Sequence, residues 1–165
     1  MGTESSEKSE GLRNALTRLI GVKCWSAISG PGTGSMFTLR FGGRFPFRRP
    51  MKNPFLTEEE RLFDGEFWMY IQGADWKVDK NGQSICSSSN SNELEGVLVL
   101  GLKQLVGEAI EDFRLDELSY DLAIEMSGGI RLLVSPGRST DLDDYSIGGQ
   151  GLRTFTAAQG RLISE

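Results

Sequence analysis

The chain has 165 residues, 38% of them hydrophobic and 9% aromatic, enough for one packed domain and too apolar for wholesale disorder. Its 23 acidic against 18 basic residues give a net charge of −5 and a pI near 4.9, which argues against nucleic acid as a partner and for a basic protein. There is no histidine, and the two cysteines, Cys24 and Cys86, have no metal-ligand spacing; the common zinc sites and histidine-based catalysis are excluded, and neither metal nor cofactor is expected.

The opening MGTESSEKSEG is polar, with no apolar run that would make a signal peptide or anchor, so residues 1–8 are expected to be a disordered tail. Met1-Gly2 followed by Ser6 loosely fits a myristoylation pattern, but the acidic, serine-rich surroundings fit a tail better. No segment reaches the roughly 18 to 20 apolar residues of a membrane span. Two free thiols in a reducing cytoplasm are the expected state of the cysteines.

Ser9 can cap a helix whose stripe is Leu12, Ala15, Leu16, Leu19 and Ile20, ending at Gly21. Phe37 to Phe47 then alternates apolar and polar about Gly42-Gly43, which reads as a hairpin with a two-residue turn. FWMYI (Phe67 to Ile71) and WKV (Trp76 to Val78) are further strands, followed by a Ser/Asn-rich stretch, residues 81–91, that reads as a linker. Asn92 and Glu95 resemble a capping box before a second stripe, Leu94, Val97, Leu98, Leu102 and Leu105, ending at Gly107. Asp121 to Leu132 repeats the alternation about Gly128-Gly129, and RTFTAA and RLIS are weaker strand candidates.

The two halves align. Leu12, Leu16, Leu19, Ile20 and Gly21 fall on Leu98, Leu102, Leu105, Val106 and Gly107 at a spacing of 86 residues. Phe37, Leu39, Phe41, Gly43, Phe45 and Phe47 fall on Leu122, Ile124, Met126, Gly128, Ile130 and Leu132 at 85. The expected fold is therefore α+β and β-rich: one domain, residues 9–165, built of two helix-plus-antiparallel-hairpin units (about 9–80 and 92–165). Neither unit is long enough to bury a good core alone, so they share one, as a sandwich or half-barrel. Phe37, Leu39, Phe41, Leu122, Ile124 and Met126 should face the core, with Thr38, Arg40, Ala123 and Glu125 pointing away.

Candidate sites follow from what differs between the halves. After Gly21 the chain carries one charge, Lys23, before Ser35; after Gly107 it carries Glu108, Glu111, Asp112, Asp116 and Glu117 against Arg114. Farther on, TDLDDYS (Thr140 to Ser146) gathers Asp141, Asp143 and Asp144 beside Tyr145 but lacks the glycine and distant glutamate of a calcium loop. The expected partner-binding residues are Asp112, Asp116, Glu117, Asp141, Asp143 and Asp144, with Tyr145 as aromatic anchor. RFPFRRPMKNPF interleaves Arg44, Arg48, Arg49 and Lys52 with aromatics; its prolines mark an edge strand entering a loop, and its charge also suits a self-complementary contact, leaving a homodimer open. SGPGTGS (Ser29 to Ser35) lacks the GK[ST] of a phosphate loop.

The segments LIG … FTLRFGG and LVG … YDLAIEMSGGIRL, with the tryptophan-bearing strands EFWMY and DWKV, resemble a pattern of small bacterial cytoplasmic proteins from toxin–immunity neighbourhoods. The resemblance implies a non-catalytic, immunity-type protein that binds and neutralises a toxin domain, and it brings no catalytic residues. An acidic face meeting a basic toxin fits it. The alternatives are a small carboxylate-using hydrolase or isomerase, and a regulatory adaptor with a small-ligand pocket between the halves.

Overall fold

The computed structural model describes residues 2–137 and 141–165. The first half contains α1 (Gly2–Leu19), β1 (Cys24–Ile28), β2 (Phe37–Pro46), α2 (Glu58–Leu62), β3 (Phe63–Ile71), β4 (Asp75–Lys80) and β5 (Gln83–Ser87). The second contains α3 (Val97–Lys103), β6 (Ile110–Leu115), β7 (Leu122–Met126), β8 (Ile130–Ser135), β9 (Tyr145–Gly149), β10 (Phe155–Ala158) and β11 (Arg161–Ser164). The strands form two antiparallel sheets, ordered β1-β2-β3-β9-β10-β11 and β5-β4-β8-β7-β6. The protein is α+β and strand-rich, as expected, and neither sheet closes into a barrel.

Period-two patterning builds the core. Rows of inward side chains run across the strands: Leu39, Met69 and Ile147 in one sheet, Val78, Leu132 and Ile124 in the other. All six residues expected to face the core are at most 2% exposed. Thr38 and Ala123 are half-buried and Glu125 is exposed, but Arg40, expected to point to water, is only 5% exposed. Phe37 meets Trp76 edge-to-face at 4.6 Å across the sheets. The helices close the remaining sides: α1 contacts β6, β9 and β11, while α3 contacts β5 and β1. Leu12, Leu16 and Leu19 of α1, and Leu98, Leu102 and Leu105 at α3, are buried.

Connectivity crosses between the sheets. The chain leaves β3 in one sheet and enters β4 beside β8 in the other; it leaves β8 and enters β9 beside β3. Where the segments preceding β1 and β6 meet, Gly21 N–H donates to Ile110 O (2.7 Å) and Gly107 N–H to Cys24 O (2.7 Å). Ile110 N–H donates to Val22 O (3.2 Å) and Cys24 N–H to Glu108 O (2.9 Å), so both pairs of bonds repeat at an 86-residue offset. Both strands also slip register at the matching place, between Cys24 and Ser26 and between Ile110 and Asp112.

Other expectations need correction. Residues 2–8 are not a tail but the first turns of α1; Glu4 to Glu7 are exposed, which is why their composition reads as disorder, and Glu4 pairs with Lys8 at 3.1 Å. Ser9 is therefore inside the helix, 3% exposed, and Met1 lies outside the described residues. The stretch read as a linker, residues 81–91, turns at Asn81-Gly82 and supplies β5. Gly42-Gly43 make no hairpin: β2 runs through them with a bulge, Gly42 takes φ +77°, and the Glu66 carboxylate accepts from Gly43 N–H at 3.0 Å. The first half thus lacks the hairpin its alignment implied. Its counterpart is a turn, of three residues rather than two: Ser127–Gly129 joins β7 to β8 with both glycines at positive φ. Gly96 rather than Asn92 caps α3, and Leu94 and Val97 stay outside its buried stripe; the Asn92 amide instead reaches Gly30 O (2.8 Å) and Gly34 O (3.0 Å).

Candidate partner-binding surface

Strand β6 is an edge of the five-stranded sheet, buried at Ile110 and Leu115 and carrying Glu111, Asp112 and Arg114 outward. Asp112 Oδ1 accepts from the adjacent Phe113 N–H at 2.8 Å. Arg13 of α1 donates to Leu115 O (3.4 Å) and pairs with Glu117 (3.0 Å). This edge is therefore capped by side chains rather than left open to another strand.

The following loop is fixed by its own sequence. Asp116 N–H donates to Asp121 O (3.0 Å) and Tyr120 N–H to Asp116 O (2.8 Å). The Asp116 carboxylate accepts from Leu118 N–H (2.8 Å) and Ser119 N–H (3.1 Å). Those donors, Ser119 first and Leu118 next, hold its pKa below the ordinary aspartate value. Leu118 stands at the top, 92% exposed, flanked by Glu117 and Asp116.

The acidic residues expected at the interface divide into two groups. Asp112, Asp116, Glu117, Asp141 and Asp143 are exposed, whereas Asp144 and Tyr145 are both 0% exposed. Tyr145 opens β9 inside the sandwich and its hydroxyl donates to Tyr120 O at 2.9 Å; burial first, then Tyr120, Asp144 and Asp121, raise its pKa. It cannot be a surface anchor. Its bond instead ties the base of the 116–121 loop to the start of β9, the two regions the sequence reading had paired. Asp144 accepts from Gly137 N–H (3.1 Å) through its carboxylate and from Gln72 N–H (3.0 Å) through its carbonyl, a structural role; Thr140 lies outside the described residues. The alternation that placed Phe37 inside places Tyr145 inside too, and the aspartates before it masked that pattern.

Sequence reasoning also missed Arg40. Its guanidinium donates to Glu60 O (2.7 Å) and Phe63 O (2.9 Å), lies 3.7 Å from Asp64, and faces the rings of Phe47 (5.3 Å) and Trp25 (5.8 Å). Burial lowers its pKa, partly opposed by Asp64 and Glu60. Arg40 thus fastens α2 and its flanks to the outer face of β2. Glu60 assists: its two carboxylate oxygens accept from Thr57 N–H (3.0 Å) and Ser26 Oγ (2.5 Å), the first as half of a capping box. This hydroxyl–carboxylate pair is committed to holding α2 in place.

The basic segment begins on a local edge, as expected: β1 pairs with β2 only as far as Phe41, so Arg44 to Pro46 pair with β3 alone before the chain enters the loop. Arg44 pairs with Glu59 and stacks over Trp25 at 4.6 Å, while Arg48, Arg49 and Lys52 are exposed and form no ion pair among the described residues. Among the described residues no group of three Cys, Asp or Glu is placed to hold a metal ion, and no helix is long and apolar enough to cross a membrane.

No protein-family model, curated protein or solved structure matches the chain. Function therefore rests on the surfaces described above.

Proposed function

We propose that this is a non-catalytic binding protein of the immunity type, which captures a basic toxin domain in the cytoplasm through the acidic surface of β6 and the loop after it. The observation that carries this reading is Leu118, 92% exposed on a loop that Asp116 and Tyr120 hold in one conformation. An apolar side chain on a preorganised acidic loop combines the two parts of a fast and durable contact. Covering a leucine contributes roughly 1.5 to 3 kcal/mol, and the exposed carboxylates of Asp112, Glu117, Asp141 and Asp143 would attract a cationic partner. Leu118 takes the anchoring role first assigned to Tyr145.

The test is protection. A candidate basic toxin domain is co-produced with the wild-type protein, with Leu118→Asp, and with a triple reversal of Asp112, Asp141 and Asp143 to lysine. Leu118→Asp is expected to weaken binding by about tenfold or more and abolish protection. The reversal should slow association most at low salt. Full protection and unchanged rates with both folded variants would remove the acidic surface from the function.

A further inference from the structure

The hairpin joining β4 to β5 turns on two residues, Asn81 and Gly82, between the paired Lys80 and Gln83. Both have positive φ, +53° and +81°, the conformation for which Asn-Gly is the preferred pair. Both are exposed. The turn leans on the one between β7 and β8: Asn81 N–H donates to Gly129 O (2.9 Å), and Asn81 Oδ1 lies over Gly129 so closely that a side chain there would collide with it. Among the described residues neither the Asn81 side chain nor Gly82 N–H makes a hydrogen bond.

The other asparagines are each engaged or blocked. Asn14 lies in α1, where the N–H of the next residue belongs to the helical ladder. Asn53 Oδ1 accepts from Phe55 N–H (2.9 Å), and Pro54 after it has no N–H. Asn90 Oδ1 accepts from Ser87 N–H (2.7 Å), and the Asn92 amide donates to Gly30 O and Gly34 O. Asn81 alone is followed by a glycine, whose main-chain nitrogen no side chain obstructs.

We propose that Asn81-Gly82 is a self-modifying site whose reaction releases β5. The Gly82 nitrogen, having lost its proton to solvent base, attacks Asn81 Cγ. The new C–N bond closes a succinimide ring as the Cγ–Nδ2 bond breaks and ammonia departs. Water then opens the ring at one carbonyl or the other, leaving aspartate or isoaspartate; in sum an amide and water become an acid and ammonia. Ring closure requires the turn to open, which it does at low cost because β5 is an edge strand whose one strand partner is β4. Either product puts a carboxylate over Gly129, beside Gly128, against which the Glu108 carboxylate already lies. Isoaspartate also lengthens the main chain, so the turn no longer brings Lys80 opposite Gln83. Loss of that register frees β5 and with it Cys86, which the strand buries against Gly101. The isoaspartyl form is the class of substrate that isoaspartyl methyltransferases accept, with S-adenosylmethionine as methyl donor. The site is separate from the acidic surface, since β5 and β6 are opposite edges of the sheet.

The experiment incubates the full chain, folded and in urea, at neutral and mildly alkaline pH. Samples are treated with an isoaspartyl methyltransferase and labelled S-adenosylmethionine, alkylated with iodoacetamide without denaturant, and digested with trypsin. The peptide from Asn81 to Lys103 holds Asn81, Asn90, Asn92 and Cys86, which fragmentation tells apart. The folded chain should gain label, and the mass of an acid in place of an amide, at Asn81 before any other asparagine. The gain should be faster at the higher pH, because the attacking nitrogen must lose its proton. Peptides that carry isoaspartate should also carry the alkyl group on Cys86, whereas unmodified peptides and Cys24 should not. Asn81→Gly, which suits the positive φ and has no amide to lose, should abolish both the label and the alkylation. Labelling confined to the urea-unfolded chain would mean that the turn protects Asn81, and would overturn the proposal. Modification that begins at another asparagine would overturn it too. Isoaspartate at Asn81 with Cys86 still unreactive would overturn the release of β5.

Discussion

Replacing Arg40 with methionine keeps most of the side-chain stem and removes every donor. The wild-type guanidinium bonds two carbonyls, Glu60 O at 2.7 Å and Phe63 O at 2.9 Å, from a position only 5% exposed. Each charge-assisted bond is worth about 1.5 to 3 kcal/mol, and a buried acceptor left alone costs about 1 to 3 kcal/mol. Asp64, 3.7 Å away and 31% exposed, is hydrated enough that losing its counter-charge adds little. Arg40→Met should therefore destabilise by about 3 kcal/mol, and Arg40→Ala, which also opens a cavity, by up to about 5 kcal/mol. For a chain of this size 3 kcal/mol corresponds to a fall in Tm of about 6 to 12 °C. Urea unfolding followed by tryptophan fluorescence measures it, and Trp25, 5.8 Å from the guanidinium, reports locally. Arg40→Lys should fall between, since an ammonium keeps the charge without the fork. An Arg40→Met protein within about 1 kcal/mol of wild type would mean that α2 is held by something other than this side chain.

Three further outcomes follow from other positions. Gly42→Val should cost about 1 to 3 kcal/mol, because Gly42 has φ +77° and an added Cβ would meet Val22 at 3.2 Å, whereas Gly43→Ala, with no contact closer than 3.6 Å, should cost much less; paired urea curves distinguish them. Burial pushes Cys24 up to about 12 and Cys86 up to about 11, so neither should react with iodoacetamide until the protein unfolds. Because their folded values lie above the ordinary 9.0, the stability they contribute is present below pH 9 and lost as pH rises toward 12; Cys24→Val should flatten that alkaline decline. Tyr145→Phe should destabilise by about 1 to 3 kcal/mol by leaving Tyr120 O without its donor, and should speed hydrogen exchange in the 116–121 loop.

Legibility in the sequence followed the strength of the periodic signal. Phe37 to Phe41 and Leu122 to Met126 alternate over enough residues to set register, and the two leucine stripes locate both helices, although α3 ends at Lys103 and leaves Leu105 buried in the turn after it. Errors arose where one local rule competed with tertiary context. Gly42-Gly43 has the composition of a turn, yet pairing with β3 both before and after the glycines keeps the strand going and turns them into a bulge. Polar residues 2–8 fit a tail, yet they prolong a helix whose later turns are anchored; Gly11 lies so close to Phe155 that a Cβ there would meet the ring at 2.8 Å. At the binding surface, charge was readable but direction was not. Tyr145 and Leu118 both sit among acids in the sequence, and only the sheet decides that one points inward and the other outward. Arg40 was unreadable because its partners are carbonyls of residues that follow it by twenty positions or more.

The exchange of strands between the two sheets governs how the chain can fold during synthesis. β3 pairs on one side with β2, which precedes it closely, but its other neighbour is β9, ending at Gly149. β4 likewise waits for β8. A ribosome that has released only the first half has therefore made two ribbons, β1-β2-β3 and β4-β5, each with an open apolar edge and no lid. Such intermediates are exposed to mispairing with other chains until the last third of the protein emerges. Contacts of this sequence separation also slow folding, by closing long loops before any burial rewards them. Nascent-chain truncations ending before Tyr145 should accordingly bind chaperones, and release from them should come with β9 rather than with completion of the first half.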